Sequence, residues 1–267
     1  MRTNRTIIIG ILSCLPVLLS AQGWPWSPVN ELDSSESPKK YKVHVTGMIQ
    51  VHYMAEFNTN GDSIQDPDGF RILRARLTAE GRIAPKISYK LMIDPRAPEH
   101  RGLMRDAYIS FDFTKDQSVR VGQQKTQFGY ENLESISDLY VVNRSDMSDN
   151  LSRGLNLRDI GIGWLGTYKF NKQWRLEHGI TFTNGSGMNV PGPWEFSSTK
   201  NLFGRVGLRF KKESTSFRLG FSFGTGGIHD PADLLYDPID DIFIKFTRYG
   251  TDVQIEHKWF YLVGEFA

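Results

Sequence analysis

From Tyr41 to His257 apolar and polar residues alternate with a period of two, in about ten short stretches divided by turn-forming residues. In the first stretch Val43, Val45, Gly47, Ile49, Val51 and Tyr53 share one face, while His44, Thr46, Met48, Gln50 and His52 share the other. The second sets Leu73, Ala75, Leu77, Ala79 and Ile83 against Arg74, Arg76, Thr78, Glu80 and Arg82. The third sets Ile87, Tyr89, Leu91 and Ile93 against Lys86, Ser88, Lys90 and Asp94, and the fourth sets Ala107, Ile109, Phe111 and Phe113 against Asp106, Tyr108, Ser110 and Asp112. Further strands are expected near 118–124, 159–169, 173–183, 200–210, 216–224 and, less regularly, 243–256.

The connections alternate as strictly as the residues do. Tight ones fall at 83–86, 114–117, 171–173, 211–214 and 256–258, and long ones near 58–69, 95–104, 126–157, 184–199 and 227–241. A soluble sandwich has no reason to gather its short turns at one end of the strands. An outer-membrane barrel does, because its periplasmic turns are short and its extracellular loops long. The apolar faces also end in aromatics, among them Tyr53, Phe113, Trp164, Phe170, Trp174, Phe210 and Trp259. Amphipathic rings prefer the headgroup level, so girdles of this kind favour a transmembrane barrel over a soluble one. The fold expected is all-β: an antiparallel transmembrane barrel over residues 41–267.

The residues before Tyr41 fix the compartment expected. Arg2 and Arg5 precede an apolar run from Ile7 to Leu19, and Leu19-Ser20-Ala21 offers small residues ahead of a cut at Gln22. Residues 1–21 read as a cleaved signal peptide, and 22–40, with Trp24-Pro25-Trp26-Ser27-Pro28, as a periplasmic linker. Cys14 is the only cysteine and lies inside the signal; Ile11-Leu12-Ser13-Cys14 loosely resembles a lipobox, but the apolar block runs on through Leu19 and favours an ordinary signal-peptide cysteine over a lipidated one. The mature chain then has neither a disulfide nor a thiolate metal site. With Arg2 and Arg5 removed, the remaining charges balance at 30 of each sign, which points to no nucleic-acid partner. An eleventh amphipathic stretch, Phe260 to Phe266, leaves ten or eleven strands where a closed single chain needs an even number; the expectation is the N-terminal part of a larger barrel.

With the apolar face toward lipid, the polar face lines a pore. Its cations are Arg74, Arg76, Arg82, Lys86, Lys90, Arg120, Arg175, Arg205, Arg209 and Arg218, against the acids Glu80, Asp94, Asp106, Asp112 and Glu177. A surplus of guanidinium groups in a narrow lumen favours anions, unless each cation is matched by a neighbouring acid. The long segment 126–157 is the second functional candidate. Leu133, Ile136 and Leu139 or Tyr140 have the spacing of a short amphipathic helix, which needs an apolar surface to pack on. Folded against the inner wall, it would narrow the pore and bring Lys125, Arg144, Arg153 and Arg158 toward the constriction.

The run Gly122-Gln123-Gln124-Lys125-Thr126-Gln127-Phe128-Gly129-Tyr130-Glu131-Asn132-Leu133 leads on to Asn143-Arg144-Ser145. It is preceded by Phe70-Arg71-Ile72-Leu73-Arg74-Ala75-Arg76-Leu77 and followed by Arg158-Asp159-Ile160-Gly161-Ile162. Together these resemble the phosphate-selective porin O/P family across most of 41–267. The resemblance implies a homotrimer of barrels of about sixteen strands, with the third loop folded inward. It also implies wall and loop cations guiding phosphate or other small anions, carried here to Arg74, Arg76, Lys125, Arg144 and Arg158. Adding the wall positions Arg82, Arg120, Arg205 and Arg209 completes the pore-lining set. The function expected is an anion-leaning diffusion channel in the outer membrane, in contact with its lipid and without a cofactor. The alternative is a barrel or transport component without phosphate preference.

Other chemistries find little support. The six histidines are dispersed, and His44 and His52, on one face, lie roughly 26 Å apart along a strand, too far to share a metal. The segment from Asn58 to Gly69 has the aspartates of a calcium loop but not its closing glutamate. Gly224-Thr225-Gly226-Gly227 lacks the Lys-Ser/Thr of a phosphate-binding loop. No serine, histidine and acid are placed for nucleophilic catalysis, so the chain does not read as an enzyme.

Overall fold

A computed structural model describes residues 7–8, 43–57, 68–96, 103–139, 143–145, 147–148, 158–185, 187–188, 200–229 and 243–267. Apart from Ile7–Ile8, the signal peptide and linker lie outside the described residues, as do most of the glycine-rich 58–69 segment and Arg153. Eleven antiparallel strands follow one another in a meander: β1 (Val43–Phe57), β2 (Asp68–Ala84), β3 (Ile87–Ile93), β4 (Met104–Thr114), β5 (Gln117–Lys125), β6 (Arg158–Lys169), β7 (Trp174–Thr183), β8 (Asn201–Lys212), β9 (Thr215–His229), β10 (Phe243–His257) and β11 (Phe260–Phe266). Each pairs with its sequence neighbour in a single sheet. Ile7–Ile8 adds a two-residue strand against Phe57 and Glu56. No ladder joins β1 to β11 among the described residues. No described helix is long and apolar enough to cross a membrane, which does not bear on strands.

In such a meander alternate connections lie at opposite ends. The connections after β2, β4, β6, β8 and β10 contain two to four residues, and those after β1, β3, β5, β7 and β9 contain ten or more. The short ones close by local hydrogen bonding. Asn171 Oδ1 accepts from the Gln173 and Trp174 amides at 2.8 Å each, and Glu213 takes φ 52° to turn the chain in two residues.

The period of two separates the faces. Val43, Ile49, Ile109, Ile162, Phe182, Leu219 and Leu262 all point outward and are exposed, while Ser110, Thr181, Ser222 and Asp252 on the other face are buried. An apolar face continuous over eleven strands far exceeds the patches that soluble monomers expose, and it suits lipid. The alternation is not perfect in β2. An extra residue, Leu73, lies between the Val51–Ile72 and Gln50–Arg74 pairs. This bulge changes the phase, so Phe70 and Ile72 are outward before it and Ala75 and Leu77 after it.

Candidate functional site

The described part of the 126–157 segment, 126–139 with 143–145 and 147–148, leaves β5 and packs on the polar face of the sheet. Phe128 is its anchor, only 1% exposed. Its ring meets Phe203 edge-on at 6.2 Å between centroids, and Phe203 stacks on Phe246 at 5.8 Å. Gly224 and Gly250 make room for this cluster: a Cβ on Gly224 would lie 2.7 Å from the Phe203 ring, and one on Gly250 would lie 3.4 Å from Phe128 Cζ. Polar contacts extend the anchoring strand by strand. Gln127 N donates to Thr181 Oγ1 on β7 at 3.1 Å, and Gly129 N donates to Ser222 Oγ on β9 at 3.0 Å. Glu265 on β11 accepts from the Tyr130 and Glu131 amides at 3.2 and 3.0 Å. From the far side of the loop, Asn143 Oδ1 accepts from Arg74 on β2 at 3.0 Å. The loop thus spans the concave face from β2 to β11.

A helix does form here, but as one turn, α1 (Tyr130–Leu133), rather than the longer amphipathic helix that Leu133, Ile136 and Leu139 suggest. The carbonyls that would carry it onward are taken by cations. Lys125 Nζ donates to Leu133 O at 3.1 Å and Glu134 O at 2.7 Å, and Arg144 donates to Glu131 O and Glu134 O at 2.9 and 2.7 Å. Ser135 and Ser137 then bond each other instead of continuing the helix. Gly129 precedes the turn at φ 72°, where a Cβ would also run into the Glu265 carboxylate. Burial pushes the Tyr130 phenol well above its ordinary pKa; Glu134 and the 3.3 Å contact with Tyr261 act in the same direction, so the group stays neutral.

The nine cations singled out from sequence divide into two groups. Over much of the wall, cations face acids. Arg205 makes a bidentate, buried pair with Asp252 at 2.7 and 3.1 Å. Arg82 lies 3.3 Å from Asp112 and donates to Pro85 O at 2.6 Å, while Arg209 lies 3.7 Å from Glu177, which also takes Arg218 at 3.5 Å. Arg120 instead rests over the Tyr108 ring at 4.9 Å, with its Nε buried and unpartnered.

The second group gathers where the loop leaves and rejoins the sheet. Lys125 lies within electrostatic reach of Arg76, Arg144 and Arg158, with Arg105 beside Arg76 and Arg158 and Arg74 beside Arg105. The acids among them are Asp94, 3.2 Å from Arg76 and 3.8 Å from Arg105, and Asp106, which holds Arg158 at 2.6 and 3.2 Å. Among the described residues Asp94 and Asp106 thus hold Arg76, Arg105 and Arg158. Burial has already desolvated the Arg76, Arg105 and Lys125 side chains of this group. Lys125 and Arg144 hold the loop with these hydrogen bonds.

Three inward residues escape sequence reasoning. Arg105 is the extra residue of a bulge between the Met92–Asp106 and Ile93–Met104 pairs, so counting in twos cannot place it. Asp252 lies in the least regular strand. Glu265 was legible in principle, since it alternates with Gly264 and Phe266. Among the described residues no group of three or more His, Cys, Asp or Glu side chains is placed to hold a metal.

A family model described as phosphate-selective porin O and P matches residues 43–198, which includes β1 to β7 and the whole inward loop. No curated protein matches the chain.

Proposed function

The chain belongs to the phosphate-selective porin O and P family, and from that membership we propose that it forms a water-filled, anion-leaning channel for small solutes in the outer membrane. The observation that carries this reading is the gathering of Arg74, Arg76, Arg105, Lys125, Arg144 and Arg158 at the roots of the inward loop. On the wall elsewhere Arg82, Arg205 and Arg209 face acids. In this reading the loop narrows the path, and fixed positive charge at its roots acts most strongly on a passing ion. The solutes proposed are phosphate and other small oxyanions, which suit the paired donors of guanidinium groups. The proposal includes export by a signal peptide cleaved after Ala21, insertion into outer-membrane lipid, and assembly as a homotrimer. Nothing in the site offers a nucleophile with a base, and channel action is proposed in place of catalysis.

The test is a planar bilayer holding the full protein across a potassium chloride gradient. The expected reversal potential follows chloride, and Arg105→Gln moves it toward zero by weakening the cluster without removing a short ion pair. A reversal potential that follows potassium would refute anion preference. The second reading, a channel without phosphate preference, draws on the pairing of Arg82, Arg205 and Arg209 with acids. Millimolar phosphate should reduce the chloride current if the first reading holds and leave it unchanged under the second.

A further inference from the structure

The short-turn end of the sheet carries a charge pattern that the channel does not use. Each of its five connections bears an exposed cation at or beside the turn. Lys86 and Lys115 mark the first two, and Lys172 the third. Lys211 and Lys212 flank the fourth, and Lys258 lies in the fifth. Among the described residues none of these six makes an ion pair, although Lys169 close by is held by Asp116 at 2.6 Å. The acids at this rim besides Asp116 are Asp112, which faces Arg82 at 3.3 Å, Glu213 and Glu256. At the other end the balance reverses in the sequence: segment 58–69 has three aspartates, segment 227–241 has five, and neither contains a lysine or arginine.

A girdle of apolar rings adjoins the basic rim. Phe113, Phe170 and Trp259 are 63%, 64% and 80% exposed and lie within two residues of a short-turn lysine. Lys258 Nζ stands 5.0 Å over the Trp259 ring. Rings at this level place the lysines at the depth of lipid phosphates, and long aliphatic stems let their ammonium groups reach out to them. Unpaired cations spread over five turns suit many separate headgroups rather than one bound ion.

We propose that this rim is a binding surface for anionic phospholipid headgroups, selecting phosphatidylglycerol-type lipid over zwitterionic lipid in the leaflet facing the short turns. The inference rests on the membrane-barrel reading and adds to it a lipid class and a side. Each cation at an anionic membrane surface strengthens attachment by roughly fivefold, so six give a clear preference even when partly screened.

Full-length protein is reconstituted in equal parts phosphatidylglycerol and phosphatidylethanolamine, extracted in mild detergent, and its retained lipid analysed by native mass spectrometry. The expected result is at least about threefold enrichment of phosphatidylglycerol. It falls to the input ratio when the six lysines are replaced by glutamine, and part of the way in Lys211→Gln with Lys212→Gln. An input ratio in the unaltered protein, or enrichment that survives all six changes, overturns the proposal. So does lower low-salt conductance in neutral lipid with enrichment intact, since the rim would then be steering permeating ions. Enrichment by an inserted protein that does not conduct would support the rim and sink the channel.

Discussion

Arg158 and Lys90 show how burial alters the value of similar ion pairs. The Arg158–Asp106 pair is almost fully buried, with side-chain exposures of 4% and 8%, and its two hydrogen bonds hold both charges in place. Removing one partner leaves the other buried and uncompensated, at a cost of about 3–5 kcal/mol. Asp106→Asn is therefore expected to lower urea stability by that order. The Lys90–Glu80 pair, 3.4 Å long and partly open to water, is worth only about 0–1 kcal/mol, so Glu80→Gln should hardly register. Equal losses from the two changes would refute this division of the wall.

The inward loop behaves as an element of the sheet because its backbone donors end on the side chains of distant strands. Glu265 is the most exacting of these contacts, accepting two consecutive amides of α1 from a strand more than 130 residues away. Glu265→Ala removes both acceptors while Phe128 stays anchored. The expected outcome is a noisier open channel, with frequent substates and near-normal stability in urea; quiet, wild-type traces would show that the aromatic anchor alone sets the loop. Phe128→Ala opens a cavity at a fully buried ring and should cost about 3–5 kcal/mol as well as loosening the loop.

At the scale of the molecule, three features share one direction. The sheet has a wet and a greasy face, its connections have a short and a long end, and its cations divide between a paired wall, a group at the roots of the loop and a basic rim. The assembly proposed from family membership predicts a detergent-solubilised particle with the protein mass of three chains, each beginning at Gln22. A particle with the mass of one chain, under conditions that preserve conductance, would refute the trimer.

The period of two was enough to identify the strands, their outward faces and both ends of the sheet, because alternation is a local property that each residue declares by its own polarity. The same local rule placed Arg205 and Arg82 on the inner face but could not say that each would meet an acid there. That depends on which strands become neighbours and on their register, as Arg205 finding Asp252 two strands away makes plain. Bulges at Leu73 and Arg105 add single residues that no periodic count anticipates. The helix expected beyond Leu133 stops because Lys125 and Arg144 claim its carbonyls, a competition visible only once the loop is folded. Sequence thus determined the wall and its orientation, through polarity read residue by residue. Tertiary structure decided where charge is left over, because neutralisation is a matter of contact between residues far apart in the chain.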